Sequence, residues 1–578
     1  MKNGRPMMTF RSAILAAAAA TLLATACTPA ENWEDPKWLA HAMKHNHPKV
    51  FSEYLSLDEE TRLALLPNVI DAYNSNQQQK GALRALLSVK DERTIEVYRN
   101  ALARPDDELA LLGARGLVQM GDTASGAAIA DRLGTVTTPG TFLGFVEALE
   151  PFSSPEAIEA IAVVAQRPAD RIGGVATVQG ACRIMEKAPN ASEDIVRGIT
   201  FGLVNFRAQP YEDAVRECEM AALVHKTAVL PALVELYKGD NERANDLVKG
   251  LGFSDATARM RAAMVMGHAR DHKANNAIRT WLRTEQVVPR SELAAMNLNE
   301  QQNWYDNHGQ LFEISVKALA YERNSEDREL LRSLVDPAGE LRNFRAWFSL
   351  SEGAEMGLRQ AAATALVSVA DASSKAFLWN EARTGDIARG NEQTDTLYHL
   401  NVIHALGRIA TKGDLASFRT AVNAQPERWR HEFRGLLGYF VLGEVCGDDV
   451  ACRQQYVLDP TPLLERKDVR DWVAAETEAR RPALEESLKS AVQAGGVWQI
   501  AHLGGDAAAS DMLTSLMRKG PEVAQTAIPE ALLYCRAWSP TVSQELEAWL
   551  EETGQRPSVP GWGELRHLVR VVAYLSKV

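Results

Sequence analysis

The chain of 578 residues carries 63 Lys and Arg against 75 Asp and Glu, a formal net charge of −12. That acidic balance, without a long basic stripe, argues against nucleic acid as a partner, since affinity for it rests on neutralising phosphates. The length suits several domains of roughly 150 residues or one elongated array.

The first 11 residues carry Lys2, Arg5 and Arg11 and no acid, and SAILAAAAATLLATA (12–26) is uncharged and mostly apolar. This is the charged start, apolar core and small-residue exit of a secretory leader. The run is shorter than the about 20 apolar residues a bilayer-spanning helix needs. Two cleavages compete at its end. Ala24-Thr25-Ala26 fits the small-x-small signal of ordinary leader peptidase. The same stretch in LLATACTPA, ahead of Cys27, resembles a bacterial lipobox, with Ala24 where Leu is usual and Leu23 one place earlier. The segment CTPAENWEDP is short, polar and proline-containing, as a tether between lipid and folded domain should be, and favours lipidation of Cys27 over a soluble periplasmic product. The resemblance implies a diacyl group plus an N-acyl chain, and several chains anchor stably where one does not. Thr28 in the second mature position resembles lipoproteins sorted to an outer membrane. Without the three leader cations the net charge is about −15.

Beyond the tether (27–36) strand signals are nearly absent and helical periodicity dominates. HAMKHNH places His41, His45 and His47 together, but no carboxylate or Cys completes a metal site, so an N-terminal helix with surface histidines is expected. Three successive segments then repeat one theme: ALLSVKDERTIEVYRNAL (85–102), GLVQMGDTASGAAIADRL (116–133) and ALEPFSSPEAIEAIAVVA (148–165). Their starts fall about every 31 to 32 residues, a solenoid-like period. Later copies lie at 262–282, 365–382 and 405–422, with a divergent one at 500–517. In each, one helix ends in small and branched apolar residues, a turn rich in Gly, Asp or Ser follows, and a second amphipathic helix begins. No such pair buries its apolar face alone, so stacking must supply the core.

The Ala-Leu-x-x-Val/Ile-Gly-Asp block resembles HEAT repeats, in particular the short HEAT-like type of phycobilisome lyases. The resemblance covers about half of the mature chain. It implies an all-α fold, an α-α superhelix of the HEAT/armadillo kind, whose usual work is binding proteins. It carries no catalytic residues, and bilin lyase chemistry does not suit an exported chain. The expected organisation is a signal peptide (1–26), the tether, HEAT-like repeats at 37–283, an irregular helical insertion at 284–355 and repeats at 356–423. A divergent helical segment with a Cys pair (424–495) and C-terminal HEAT-like repeats with a cap (496–578) complete it.

Two stretches depart from the repeat. Residues 284–312 are amide-rich and hold Trp304 and Tyr305, which are partner-binding candidates if exposed and ordinary packing residues if not. Residues 424–470 hold Cys446 and Cys452 around GDDVA, a polar turn between helices, and an oxidising compartment favours a disulfide there. Cys182 and Cys218 fall on apolar faces and read as free buried thiols. With Cys535 they leave an odd cysteine over. His268 and His272 straddle Gly267 and an inter-helix turn rather than sharing a helix face. The mixed charges of 463–490 read as a solvated face.

No metalloprotease, Gly-x-Ser-x-Gly or phosphate-binding-loop motif is present in the sequence. The expectation is a lipid-anchored scaffold of the bacterial envelope that binds protein partners, not an enzyme, with no metal, cofactor or small-molecule substrate. The alternative is an envelope enzyme whose active site lies in the 284–312 or 424–470 insertion, with the repeats as support.

Overall fold

A computed structural model of the chain describes residues 32–136, 138–152, 154–166, 175–204, 212–238, 255–284, 297–336, 352–384, 392–554 and 562–578. Cys27 lies outside them. The fold is all-α, and among the described residues there is no strand. No single described helix is long and apolar enough to cross a membrane. The chain divides into an N-terminal unit, Met1–Ala157, and a C-terminal unit, Ile158–Val578.

The N-terminal unit holds α1 (Pro36–Lys44), α2 (Val50–Leu55), α3 (Glu59–Asn74), α4 (Gln79–Leu86), α5 (Ile95–Leu102), α6 (Asp107–Met120), α7 (Gly126–Leu133) and α8 (Pro139–Leu149). Asp35 caps α1, accepting the Lys37 N–H at 2.9 Å, and Pro36 opens the helix. Trp33 lies against Trp38 and His47, with ring centroids 4.8 and 5.0 Å apart, so the end of the expected tether belongs to the folded cap. The helix pairs α4/α5 and α6/α7 are the first two sequence copies. Between α6 and the turn before α7, Gly121 takes the left-handed conformation at φ 70°, where only glycine is unstrained. Gly113 marks the closest helix approach: a Cβ there would come 2.6 Å from the Tyr98 carbonyl.

In the C-terminal unit, after α9 (Pro155–Ala165), come α10 (Val175–Met185), α11 (Glu193–Val204), α12 (Glu212–Val224), α13 (Lys226–Lys238), α14 (Asp255–Ala269), α15 (His272–Thr284), α16 (Leu298–Glu322) and α17 (Arg328–Val335). Next in the chain are α18 (Glu352–Val367), α19 (Ala372–Thr384), α20 (Glu392–Gly407), α21 (Asp414–Ala424), α22 (Arg430–Phe433), α23 (Leu437–Cys446), α24 (Val450–Leu458) and α25 (Thr461–Leu464). The unit finishes with α26 (Lys467–Ala474), α27 (Arg481–Gln499), α28 (Ala507–Lys519), α29 (Glu522–Leu533), α30 (Pro540–Thr553) and α31 (Trp562–Leu575). Ala365, Leu366 and Val369 are buried where α18 meets its neighbours.

The first helices of successive pairs pack side by side: α12 on α14, α14 on α16, α16 on α18 and α18 on α20. The turn at Arg434–Leu436 joins α20 to α23, which packs on α27, and α29 and α31 continue the row. Then α31 packs on α12. The repeat pattern predicts an array in which each pair touches mainly its neighbours. The C-terminal unit instead closes its circuit, because two acidic residues of α12 meet two basic ones of α31.

Buried arginines stitch the pairs together. Arg259 donates to the Tyr237 carbonyl at 2.7 Å and Arg359 to that of Val335 at 2.9 Å, in each case from one pair into the C-terminal end of the helix before it. Such ends carry unsatisfied carbonyls and the negative pole of the helix dipole, so a guanidinium satisfies both.

Two expectations gain detail and one changes. The amide-rich insertion is helical from Leu298, where Asn297 and Glu300 form a reciprocal capping box that starts the 25-residue α16. Residues 424–470, part of the expected divergent helical segment, hold α22 to α25 and the start of α26. Cys182 and Cys218, read as free thiols, are joined in a disulfide 36 residues apart in sequence. They meet across α10 and α12, a pairing that spacing alone does not reveal.

Candidate functional site

The C-terminal unit closes where the C-terminal ends of α14, α16, α18, α27 and α29 converge. Arg270 follows α14 and donates to the carbonyls of Cys535, at 2.7 Å, and Leu533. Arg323 follows α16 and donates to those of Ser368 (3.2 Å), Ala501 (3.0 Å), His502 (2.9 Å) and Tyr534. A π-helical turn, Ile500–Gly504, ends α27 and turns the Ala501 and His502 carbonyls to this point. Both arginines are left-handed, at φ 52° and 55°. Gly121 and Gly505 take the same conformation where α6 and α27 with its π-turn end. A left-handed non-glycine residue is strained by about 1–2 kcal/mol. The guanidiniums offset that strain by giving a cluster of buried carbonyls its donors. Burial pulls each arginine down to about 10, which leaves both cationic at neutral pH.

Beneath this pole lies a band of rings. Tyr321 and Tyr534 are 5.1 Å apart between centroids, His502 lies 4.9 Å from Tyr534, and the Arg408 guanidinium sits 4.0 Å over Trp498. Lys317 pairs with Glu530 at 2.7 Å. Burial pushes both tyrosines up and holds His502 well below its ordinary range, so its imidazole is neutral. Neither His502 ring nitrogen has a partner among the described residues.

The second fastening joins α12 to α14 and α31. Glu219 is 2 % exposed and accepts from Nδ1 of His268 on one oxygen and from Nε2 of His567, at 2.8 Å, on the other. Burial works to raise the Glu219 carboxyl, but the two imidazoles outweigh it and the net shift is strongly downward. Beside it Arg570 of α31 reaches Glu217 of α12 at 2.8 Å.

These buried charges satisfy one another. Their arrangement suits holding the unit closed, and the Cys535 thiol, pushed up to about 12 by burial, is not a nucleophile at neutral pH. The opening lies above the pole, in a cavity of about 300 Å³ lined by turns of four helix pairs and by the start of the turn after α29. Arg323, Arg328, Lys375 and Arg536 face it, with Asp371 as the lining carboxylate.

The sequence candidates fall elsewhere. Trp304 and Tyr305 lie within α16, but their side chains are outside the described residues. Cys446 and Cys452 are linked, with Asp449 capping α24 through the Cys452 N–H at 3.1 Å and Gly447 at φ 56°. The His41 and His45 rings lie 4.2 Å apart, tilted to one another, at the C-terminal end of α1, and among the described residues no group of three potential ligands is placed to hold a metal. His268 ends α14 and His272 begins α15, where it meets Glu322 at 2.8 Å. The sequence does carry one signal for the pole. HARD and YERN hold Arg270 and Arg323 at helix ends where other copies read QMGD and LGGD, so a long cation replaces the residue the backbone prefers.

A comparison with known protein families and with curated proteins returned no match for this chain.

Proposed function

We propose that the chain is a scaffold of the bacterial envelope, exported, anchored through lipid on Cys27 to the outer membrane, and holding protein partners on its helix pairs. The address rests on the leader and the LLATAC stretch. The observation that carries partner binding is an open groove of about 630 Å³ between α5 and α7 of the N-terminal unit. Leu102, Ala103, Pro105 and Ala128 give it an apolar surface, and Arg99, Arg104 and Arg132 stand around it. Asp122 at 2.8 Å and Asp107 at 2.6 Å orient Arg99 and Arg132, and Asp131 also lines the groove, which leaves Arg104 as its cation without a carboxylate at salt-bridge distance among the described residues. An apolar side chain on a partner segment that also carries carboxylates fits that chemistry.

The experiment is crosslinking and affinity capture from detergent-solubilised envelopes, comparing the native chain with Ala128→Trp, which fills the groove from an exposed position. A stoichiometric partner captured by the first and lost from the second supports the scaffold. Equal capture by both removes the groove from the reading. Cys27→Ala should move the protein from the membrane to the soluble fraction and abolish palmitate labelling; retention and labelling in that variant would contradict lipidation at Cys27.

A further inference from the structure

We propose that the cavity at the pole of the C-terminal unit binds a phosphoryl dianion, either free phosphate or a phosphate monoester. Its walls carry four cations, Arg323, Arg328, Lys375 and Arg536. Two carboxylates stand against them: Asp371 lies 3.2 Å from Arg328, and Asp414 holds Lys375. Four charges less two leave a surplus of two, which matches a dianion rather than a carboxylate monoanion.

The cations differ in what they can give. Arg323 is committed to carbonyls and supplies field rather than a new hydrogen bond. Arg328 donates Nε to the Val369 carbonyl at 3.0 Å and holds Asp371 with one terminal nitrogen, which leaves the other for a ligand. Arg536 is exposed, its backbone N–H is fixed to the Gly505 carbonyl, and its guanidinium bonds no other described residue. A fork of donors without a partner, beside a second fork with one arm open, is the arrangement that grips a tetrahedral oxyanion from two sides. Ser325 adds a hydroxyl to the lining. About 300 Å³ holds a phosphate with its first waters, and the cavity is open enough for an ester substituent to leave it.

The site also has a structural condition. Its lining comes from residues within 323–328, 367–375, 409–411 and 502–503 and from Arg536, which the closed circuit holds together. A bound anion would therefore bridge the two sides of the pole, and its binding energy would add to closure.

Isothermal titration of inorganic phosphate into the full-length chain in detergent micelles tests this, with acetate as the monoanion and dihexanoyl phosphatidic acid as a lipid phosphomonoester. Saturable phosphate binding at least tenfold tighter than acetate is expected. Arg536→Gln should weaken phosphate at least tenfold while leaving the thermal midpoint in phosphate-free buffer unchanged, because Arg536 is exposed. Arg328→Lys, which keeps the charge but loses the fork, should weaken it less than Arg536→Gln does. Phosphatidic acid binding tenfold tighter than phosphate assigns a lipid headgroup as the source; phosphate binding without that gain assigns a free ion or small ester. No saturable heat at millimolar phosphate, equal affinity for acetate, or an Arg536→Gln affinity equal to the native one would each overturn the site. None of these readouts depends on whether the chain binds protein partners.

Discussion

The two units use the same helix pair and arrive at different kinds of stability. In the N-terminal unit, α4/α5 and α6/α7 bury their apolar faces against adjacent pairs, and the polar contacts that span pairs, such as Arg99–Asp122 and Lys80–Glu108, join residues 23 and 28 apart. In the C-terminal unit the pairs stack in the same way, but Glu219–His567 and Glu217–Arg570 join residues 348 and 353 apart. A row held by neighbours loses its parts one at a time, whereas a closed circuit fails as a whole. The same building block thus gives a graded body or a cooperative one, according to a handful of polar residues at its ends.

The strongest way to break that contrast is Glu219→Ala. It strands two buried imidazoles, and removing one partner of such a set costs about 3–5 kcal/mol. Hydrogen exchange should show protection falling across the whole C-terminal unit, from α12 to α31, with α4 to α7 unaffected. Loss confined to α12 and α14 would mean the circuit is not cooperative. The same residue sets an acid limit. Its folded-state carboxyl is held below the ordinary value of 4.5, so its contribution is complete above that pH and fades as pH falls below it. Native and Glu219→Gln stabilities in urea should therefore differ at neutral pH and converge on acidification.

Next in size is a matched pair of cavities. Leu117 and Leu366 are both fully buried, one in each unit, and truncation of either to Ala should cost about 3 kcal/mol. Exchange should quicken only around α5 to α8 for Leu117→Ala, and throughout the C-terminal unit for Leu366→Ala. Local loosening around α18 alone in the second variant would place the C-terminal unit with the first. Smaller still is Arg323→Gly. Glycine relieves the left-handed strain but leaves four carbonyls without their donor, a net loss of about 2 kcal/mol in the stability of the C-terminal unit, read from its urea midpoint. The mildest is Gly121→Ala in the N-terminal unit, where no atom lies within 4 Å of the added Cβ and only backbone strain opposes it, about 1 kcal/mol. A Gly121 variant more damaging than the Arg323 one would invert the assignment of the arginines as fasteners.

Local features were legible in the sequence and distant ones were not. The helix pairs at 85–133, the Gly121–Asp122 turn and the burial of Leu366 follow from periodicity and capping, which act over a few residues. The amide-rich stretch looked irregular because Asn and Gln are poor indicators of a helix interior. Its start was nevertheless written in Asn297 and Glu300, a capping box three residues apart. The Cys182–Cys218 bridge and the Glu219–His567 contact depend on how many pairs intervene and how each turns on the last. Those quantities are sums of small rotations that no single motif records. Arg270 and Arg323 fall between the two cases: their departure from glycine is visible, but all but one of the carbonyls that justify it lie some 180 to 265 residues away.

The span between Glu219 and His567 also has a meaning in time. A ribosome delivers α12 long before α31, so the carboxylate waits through the making of most of the C-terminal unit with one of its two imidazoles not yet made. The ion pairs of the N-terminal unit described above join residues fewer than 30 apart and can form as it emerges. Completion of the second body is thus postponed until its final helix arrives, and a product interrupted between α29 and α31 leaves bare the faces of α12 and α29 on which α31 packs. Such a fragment advertises its own incompleteness to any protease that surveys unfinished chains, while a finished one conceals the same surfaces.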